Sequence, residues 1–295
     1  MTIDDLPLGQ RLTRQAGWNQ TESDWLRFMN MEPEGCFVGE LDGSSVGTTT
    51  TCVFNQVAWI AMVLVDKDCR GRGLGTELLK HALNYLDVRK VRTIRLDATS
   101  AGRPIYERLE FVPEYELARF ETGKVGCSSA ILRKESGGQS WWGKPAVRVA
   151  GKPHTTIDAT PDVFPDLIEF DRRMTGTDRA KMLGRLFEEF PEHVRLVMGG
   201  DKLEGFITAR PGANAVQIGP CIATANAGPS LLSDALNRWA GKPVFVDIPL
   251  DNVHAVKIAE SSGLRVQRCF TRMCRGVRVN ETVQALWASS GPEKG

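Results

Sequence analysis

Residues 57–86 constrain this chain more than any other stretch. They run VAWIAMVLV, then DKDCRGRGLG, then TELLKHALNYL. The first nine residues carry no charge and are rich in Val and Ile, which predicts a strand buried on both faces. The last part sets Leu78, Leu79, Ala82, Leu83 and Leu86 on one helical face and Glu77, Lys80 and Asn84 on the other. Between them lies a short basic loop with Gly71, Gly73 and Gly75. A strand, a glycine-rich basic turn and a helix aim free backbone N–H groups and a helix N-terminus at one point. That point is suited to a phosphate group.

Spacing separates the phosphate ligands. The string G-x-x-x-x-G-K-[ST] of nucleoside triphosphatases is absent. In a dinucleotide fingerprint counted from Gly71 and Gly73, the third glycine falls on Thr76, which excludes that motif. What stands here is Arg70-Gly71-Arg72-Gly73-Leu74-Gly75, the pattern [QR]-x-x-G-x-[GA]. With its flanking strand and helix it resembles the pyrophosphate loop of the GNAT superfamily of CoA-dependent N-acyltransferases. A loop that is glycine-rich only to turn tightly is the alternative.

The order of elements around the loop extends the resemblance over residues 1–135. Two helices come first, the second opened by Thr21-Glu22-Ser23-Asp24 as a capping box. A hairpin follows, from Cys36 to Glu40 and Val46 to Val53, turning at Asp42-Gly43. After the central unit come a strand over Val91–Leu96 with exposed arginines, a helix begun by Pro104, and strands at Phe111-Val112, Ala118–Glu121 and Ser129–Arg133. The segment LDATSAGRPIYERLEF is similar to the GNAT segment whose helix tyrosine lies near the CoA sulfur, and the match falls on Tyr106. Glu110 stands where a glycine often precedes the Phe.

Residues 136–150, SGGQSWWGKPAVRVA, read as a linker, with Trp141 and Trp142 packing it onto a domain. The order of the first half then returns. Leu78-Leu79 matches Leu231-Leu232, and the same offset carries Gly75 to Gly228 and Phe111 to Leu264. It also carries Arg70 to Ala223, Arg72 to Ala225, Gly73 to Asn226 and Tyr106 to Ala259. The second half therefore reads as a degenerate copy without the basic loop or the tyrosine. The whole chain resembles tandem bacterial GNAT proteins, in the strings AGWNQT, FDRRMTGTDR and QIGPCIA and the closing Arg272-Met273. The expected fold is α/β, strictly an α+β mixed sheet: two tandem GNAT-like domains, each a mostly antiparallel sheet flanked by helices. The expected bounds are 1–135, a linker at 136–150, 151–290, and a tail at 291–295.

Composition sets the remaining limits. The chain has 295 residues and a formal net charge of +1, so two domains are expected and no general attraction to nucleic acid. Seven scattered cysteines without a C-x-x-C read as reduced thiols, and four distant histidines suggest no metal site. The opening MTIDDLPLGQ lacks a secretory pattern, and no apolar run reaches membrane-spanning length. A cytoplasmic protein, monomer or homodimer, is expected.

The resemblance implies an acetyl-CoA-dependent N-acetyltransferase acting on a small-molecule amine held between the halves. Arg70, Gly71, Arg72, Gly73, Leu74, Gly75 and Thr76 would hold the pyrophosphate, with Arg103 added to the cofactor set. Met62, Val63, Leu64 and Val65 would offer main-chain groups to pantetheine, with an N–H near Val63 or Leu64 for the oxyanion. Tyr106 would protonate the leaving thiolate. Glu22 is the candidate base, with Asp97 at a strand end as another option. The acceptor side would draw on Trp18, Asn19 and Trp25, and on Asp171 and Arg179 from the second half; the last two read equally as a structural ion pair. A non-catalytic acyl-CoA sensor and a protein-lysine acetyltransferase are the alternatives.

Overall fold

The computed structural model describes residues 1–122 and 154–294. In the first half, α1 (Leu6–Gln15) and α2 (Glu22–Met31) lead into β1 (Cys36–Leu41), β2 (Ser44–Phe54) and β3 (Val57–Val65). Then come α3 (Leu74–Val88), β4 (Thr93–Ala98), a short α4 (Arg103–Glu107) and β5 (Val112–Thr122). The second half repeats the order: β6 (Ile157–Asp158), α5 (Phe164–Thr175), α6 (Ala180–Glu189), β7 (Arg195–Gly199), β8 (Lys202–Arg210) and β9 (Val216–Ala223). It continues with α7 (Gly228–Arg238), β10 (Val244–Pro249), α8 (Val253–Ser261), β11 (Leu264–Gly276) and β12 (Leu286–Ala288).

The halves share one sheet, ordered β1-β2-β3-β4-β11-β5-β10-β9-β8-β7-β6, with β12 paired to β9 off this path. Two pairs are parallel, β3 with β4 and β9 with β10, and each is joined by its crossover helix, α3 or α7. The middle of the sheet is a reciprocal exchange. Strand β11 of the second half lies between β4 and β5, and β5 of the first half lies between β11 and β10. Side chains follow the strands across the boundary. Phe120 of β5 packs with Leu231 and Val246 of the second half, and Met273 of β11 packs with Leu79 and Phe111 of the first.

Helices α1, α2, α5 and α6 cover one face of the sheet in a single core that includes Trp25, Phe28, Trp59, Phe170 and Met182. The other face carries α3 and α4 over the first half and α7 and α8 over the second.

Several sequence-based expectations change. The strands expected at Phe111-Val112 and Ala118–Glu121 are one strand, β5. Arg95, placed in an exposed set, is buried and paired with Glu114 (2.7 Å) and Glu281 (2.6 Å). The expected tail is no free end through Lys294: Glu293 and Lys294 are 2% and 1% exposed, because each finds opposite charge inside the protein. The linker, Trp141, Trp142, Cys127 and the strand at Ser129–Arg133 lie outside the described residues.

Candidate active site

The site begins where two parallel strands part. Strands β3 and β4 pair only from Val57↔Thr93 to Trp59↔Arg95. Beyond Arg95, β4 continues to Ala98 against β11 on its other side. The opposite edge of β3 follows β2 through a bulge, stepping from Thr50↔Ala61 to Thr48↔Leu64, with Met62 at φ +51°. The edge of β3 from Ile60 to Val65 that faces β4 is therefore without a strand partner, and it borders a cavity of about 340 Å³. Peptide groups on such an edge need hydrogen-bond partners, and an extended ligand can supply them.

At one end of the cavity lies the glycine loop. Arg70 donates from Nε to the Val65 carbonyl at 3.0 Å, which folds the chain back from the end of β3. Gly71 and Gly73 have φ of +77° and +81°, a left-handed backbone that side-chain-bearing residues adopt at a cost. Gly73 stands at the N-cap of α3. The N–H groups of Arg72, Gly73, Leu74 and Gly75 have no backbone acceptor among the described residues, whereas Thr76 donates to the Gly73 carbonyl at 2.9 Å. Four free donors at a helix N-terminus beside Arg70 and Arg72 fit a pyrophosphate. Thr76 adds no main-chain donor to that set.

Alternation along the strands divides the cavity into two sides. On β4, Leu96 and Ala98 pack toward α3, while Asp97 faces the side of α1 and α2. On β11, Met273 packs toward α3, while Arg272 lies over the Trp59 ring at 4.7 Å and Phe270 lines the cavity. The α3 side carries Tyr106, half-buried in the cavity wall, its ring edge-on to Phe111. Its hydroxyl has no hydrogen bond among the described residues, and burial pushes its pKa up to about 12. On the α1 side, Trp18 and Gln20 approach from the α1–α2 connection, Arg119 from β5, Arg268 and Phe270 from β11, and Glu293 from the segment after β12.

Two carboxylates reach the cavity. Asp97 accepts two hydrogen bonds from Arg272, at 2.8 and 2.9 Å, yet burial lifts it above its ordinary value. For Glu293 burial acts in the same direction, but Lys294 and Arg210 outweigh it and hold the carboxyl below its ordinary value.

The sequence-derived candidates divide accordingly. Met62, Val63, Val65, Arg70, Gly75, Tyr106 and Trp18 line the cavity. Gly71, Arg72, Gly73 and Leu74 shape its loop, while Leu64 is buried in the core beneath α1 and α2. Arg103 is turned to Glu107 (2.8 Å). Glu22 is exposed and bound to the Gln10 amide (2.5 Å), away from the cavity, because it opens α2 on the outer face while Asp24 caps inward. Asn19 is buried and spends its amide on Asn214 and Ala215, joining the halves. Trp25 is a core residue bonded to Thr13. Asp171 and Arg179 form a buried ion pair (2.6 Å) that also holds Ser290, the structural alternative.

Gln20, Arg119, Arg268, Phe270 and Glu293 were missed. The alternation Arg268, Phe270, Arg272 was the signal for β11, but nothing local indicates that this strand crosses into the first half. In the second half the corresponding cleft is filled. Strands β9 and β10 part after Ile218↔Val246, and β12 occupies the gap through Leu286↔Ile222 and Ala288↔Cys221. The Trp287 indole donates to the Ala223 carbonyl (3.2 Å) and covers Gly228, where an added Cβ would meet it at 1.9 Å.

Comparison with known proteins places the fold in a family. Residues 7–111 match the acetyltransferase (GNAT) family model and residues 167–288 match an acetyltransferase (GNAT) domain model. The chain belongs to the GNAT acetyltransferases, and it carries the domain twice. It is 25% identical over 204 residues to the holothin acyltransferase of a Pseudoalteromonas strain, an alignment covering 69% of this chain and 61% of that protein. It is 24% identical to the uncharacterised N-acetyltransferase YitH of Bacillus subtilis, covering 82% and 78%. An acetyltransferase structure from Pyrococcus horikoshii superposes with a TM-score of 0.75 at 24% identity, over 100% of this chain and 94% of that one. A tandem GNAT protein from the clavulanic acid biosynthesis pathway superposes with a TM-score of 0.59 at 14% identity, over 92% and 95%. No described helix is long and apolar enough to cross a membrane.

Proposed function

We propose that this protein transfers the acetyl group of acetyl-CoA to a primary amine of a small molecule bound in the cavity on the α1 side of the sheet. The observation that carries the reading is the unpaired edge of β3, which runs from the strand fork to the glycine loop. Its length of free peptide groups suits pantetheine, and the loop at its end suits the pyrophosphate. Among the described residues only the first half offers this arrangement, since β12 and Trp287 fill its counterpart.

The chemistry follows from the two sides of the fork. An alkylamine with a pKa of roughly 10 must shed a proton before it can attack. Asp97, whose carboxyl burial lifts, replaces Glu22 as the group to receive it, directly or through water. The amine nitrogen then bonds to the thioester carbonyl carbon as the C–S bond breaks, and an N–H of the bulge near Val63 faces the developing oxyanion. Tyr106, still protonated at neutral pH, gives its proton to the departing sulfur, and the proton that the acylated nitrogen sheds as the amide forms returns through solvent to the phenolate.

The test is calorimetric titration of acetyl-CoA into the wild type and a Gly73→Asp/Arg70→Ala double variant, followed by thiol release with a panel of amines. One site, weakened at least about tenfold in the variant, together with amine-dependent thiol release, supports the enzyme. Binding without release across the panel points to an acyl-CoA sensor, and absence of binding removes the reading.

A further inference from the structure

The acceptor side of the cavity holds a charge and a polar atom that the protein leaves unmatched. Arg119 is paired with Asp247 through two bonds of 2.8 Å, Arg272 with Asp97, and Glu293 with Arg210 and Lys294. Arg268 differs. Its Nε donates to the Gln267 side chain (3.1 Å), and its terminal nitrogens have no acceptor among the described residues. It stands directly across β11–β5 from Arg119, and both guanidinium groups lie against the Phe270 ring, at 6.0 and 5.5 Å. Like charges opposed across two strands repel. An anion in the cavity relieves that repulsion and meets the open donors in the planar geometry arginine favours.

Gln20 supplies the second observation. It is 6% exposed, and its Nε2 donates to Glu293 at 2.9 Å. The carboxylate fixes which way the amide points, since only the nitrogen can donate. Its Oε1 is thereby turned to a buried position on the cavity wall with no partner. A buried acceptor of this kind calls for a donor from a ligand.

We infer that the acceptor is an amine that also carries an anionic group, a carboxylate in the first instance, bound by Arg268 while Gln20 accepts a hydrogen from the nitrogen. This rests on the acetyltransferase reading above and narrows its substrate class. Arg268 acts here as a specificity-determining residue.

The test compares matched acceptors: an amino acid, the same amine without its carboxylate, and the aminophosphonate and aminosulfonate analogues. Thiol release from acetyl-CoA is followed with the wild type, Arg268→Gln and Arg268→Lys, beside calorimetric titration of CoA into all three. The expected result is that the carboxylated member exceeds its neutral partner at least tenfold in kcat/KM. That ratio falls toward one in Arg268→Gln and is partly restored in Arg268→Lys, while CoA affinity stays the same. A preference for the phosphonate or sulfonate keeps the anion site and reassigns its ligand. Neutral amines used as well as or better than acids, or a ratio unchanged by Arg268→Gln, would overturn the inference. CoA bound without release from any acceptor, or CoA that fails to bind the wild type, would instead overturn the acetyltransferase reading itself.

Discussion

Arg272 of the second half grips Asp97 of the first through two parallel hydrogen bonds of 2.8 and 2.9 Å, at the fork where the strands separate. The guanidinium is fully buried and is also bonded to the Tyr115 hydroxyl at 2.7 Å. The carboxylate proposed above as the proton acceptor is thus positioned by a strand of the second half.

Replacing Asp97 tests this pairing and the proton-acceptor role together. Asp97→Asn keeps the shape but removes the charge. It should lower kcat by about 10²- to 10⁴-fold, the usual range for a lost general base. Because Arg272 would lose its counter-charge in a buried place, melting temperature should fall as well. Steady-state rates and a thermal melt measure both. Glu22→Gln serves as the comparison and should change kcat less than about twofold, since surface substitutions seldom matter. A larger loss in Glu22→Gln than in Asp97→Asn would reverse the assignment.

Tyr106→Phe should reduce kcat by about 10²-fold or more with little change in KM, because the ring and its contact with Phe111 remain. Burial pushes the phenol up to about 12, so the hydroxyl keeps its proton through the range in which amines deprotonate. The rate of the wild type should accordingly rise with pH and hold to about pH 10, in initial-rate profiles. A fall in rate centred well below that value, absent from Tyr106→Phe, would show that the phenol titrates earlier.

Acid should unfold the protein through its buried carboxylates. Asp24, Glu281 and Glu293 sit below their ordinary values of 3.8, 4.5 and 4.5, because the cations around each outweigh its burial. An acid whose folded value is depressed binds fewer protons folded than unfolded, so its contribution is complete above the ordinary value and declines as pH falls through the folded one. Melting temperature should be level above about pH 5 and drop below it. Melts from pH 7 to pH 3 that stay flat would mean these pairs add nothing.

Neither half should fold by itself. Strand β5 is flanked on both edges by second-half strands, and β4 has its outer edge covered by β11. Residues 1–135 expressed alone would expose those edges and the face of Phe120. The fragment is expected to aggregate, and co-expression with residues 151–295 is expected to recover a soluble pair. A soluble, cooperatively melting 1–135 fragment would show that the exchange is dispensable.

The strand, loop and helix that border one end of the cavity were legible in the sequence because their signals are local. Residues 57–86 hold strand, loop and helix in one unbroken run, and the positive φ of Gly71 and Gly73 is what that pattern requires. Tyr106 came from a segment just as compact. The opposite wall was legible only in part: Trp18 and Asp97 were named from their local positions, whereas Arg268 and Glu293 join them only through contacts between the two halves. Charge in FDRRMTGTDR drew attention to Asp171 and Arg179, yet those two neutralise each other in the core. Trp25 and Asn19 failed for a related reason: a polar or aromatic side chain near a pocket in sequence can as readily spend itself on packing and on a seam. The strand β11, where alternation was present, lacked any local mark of its neighbours.

The crossing of β5 and β11 has a consequence for descent. After a domain is duplicated, one copy is ordinarily free to decay or depart. Here each copy supplies an inner strand of the other, so neither can be shed without ruin to its sibling. Among the described residues the cleft of the second copy is filled by β12, yet its strand β11 supplies part of the wall of the cavity in the first. On the proposed reading, a substitution in β11 would retune which amine is accepted while the glycine loop of the other half is left alone.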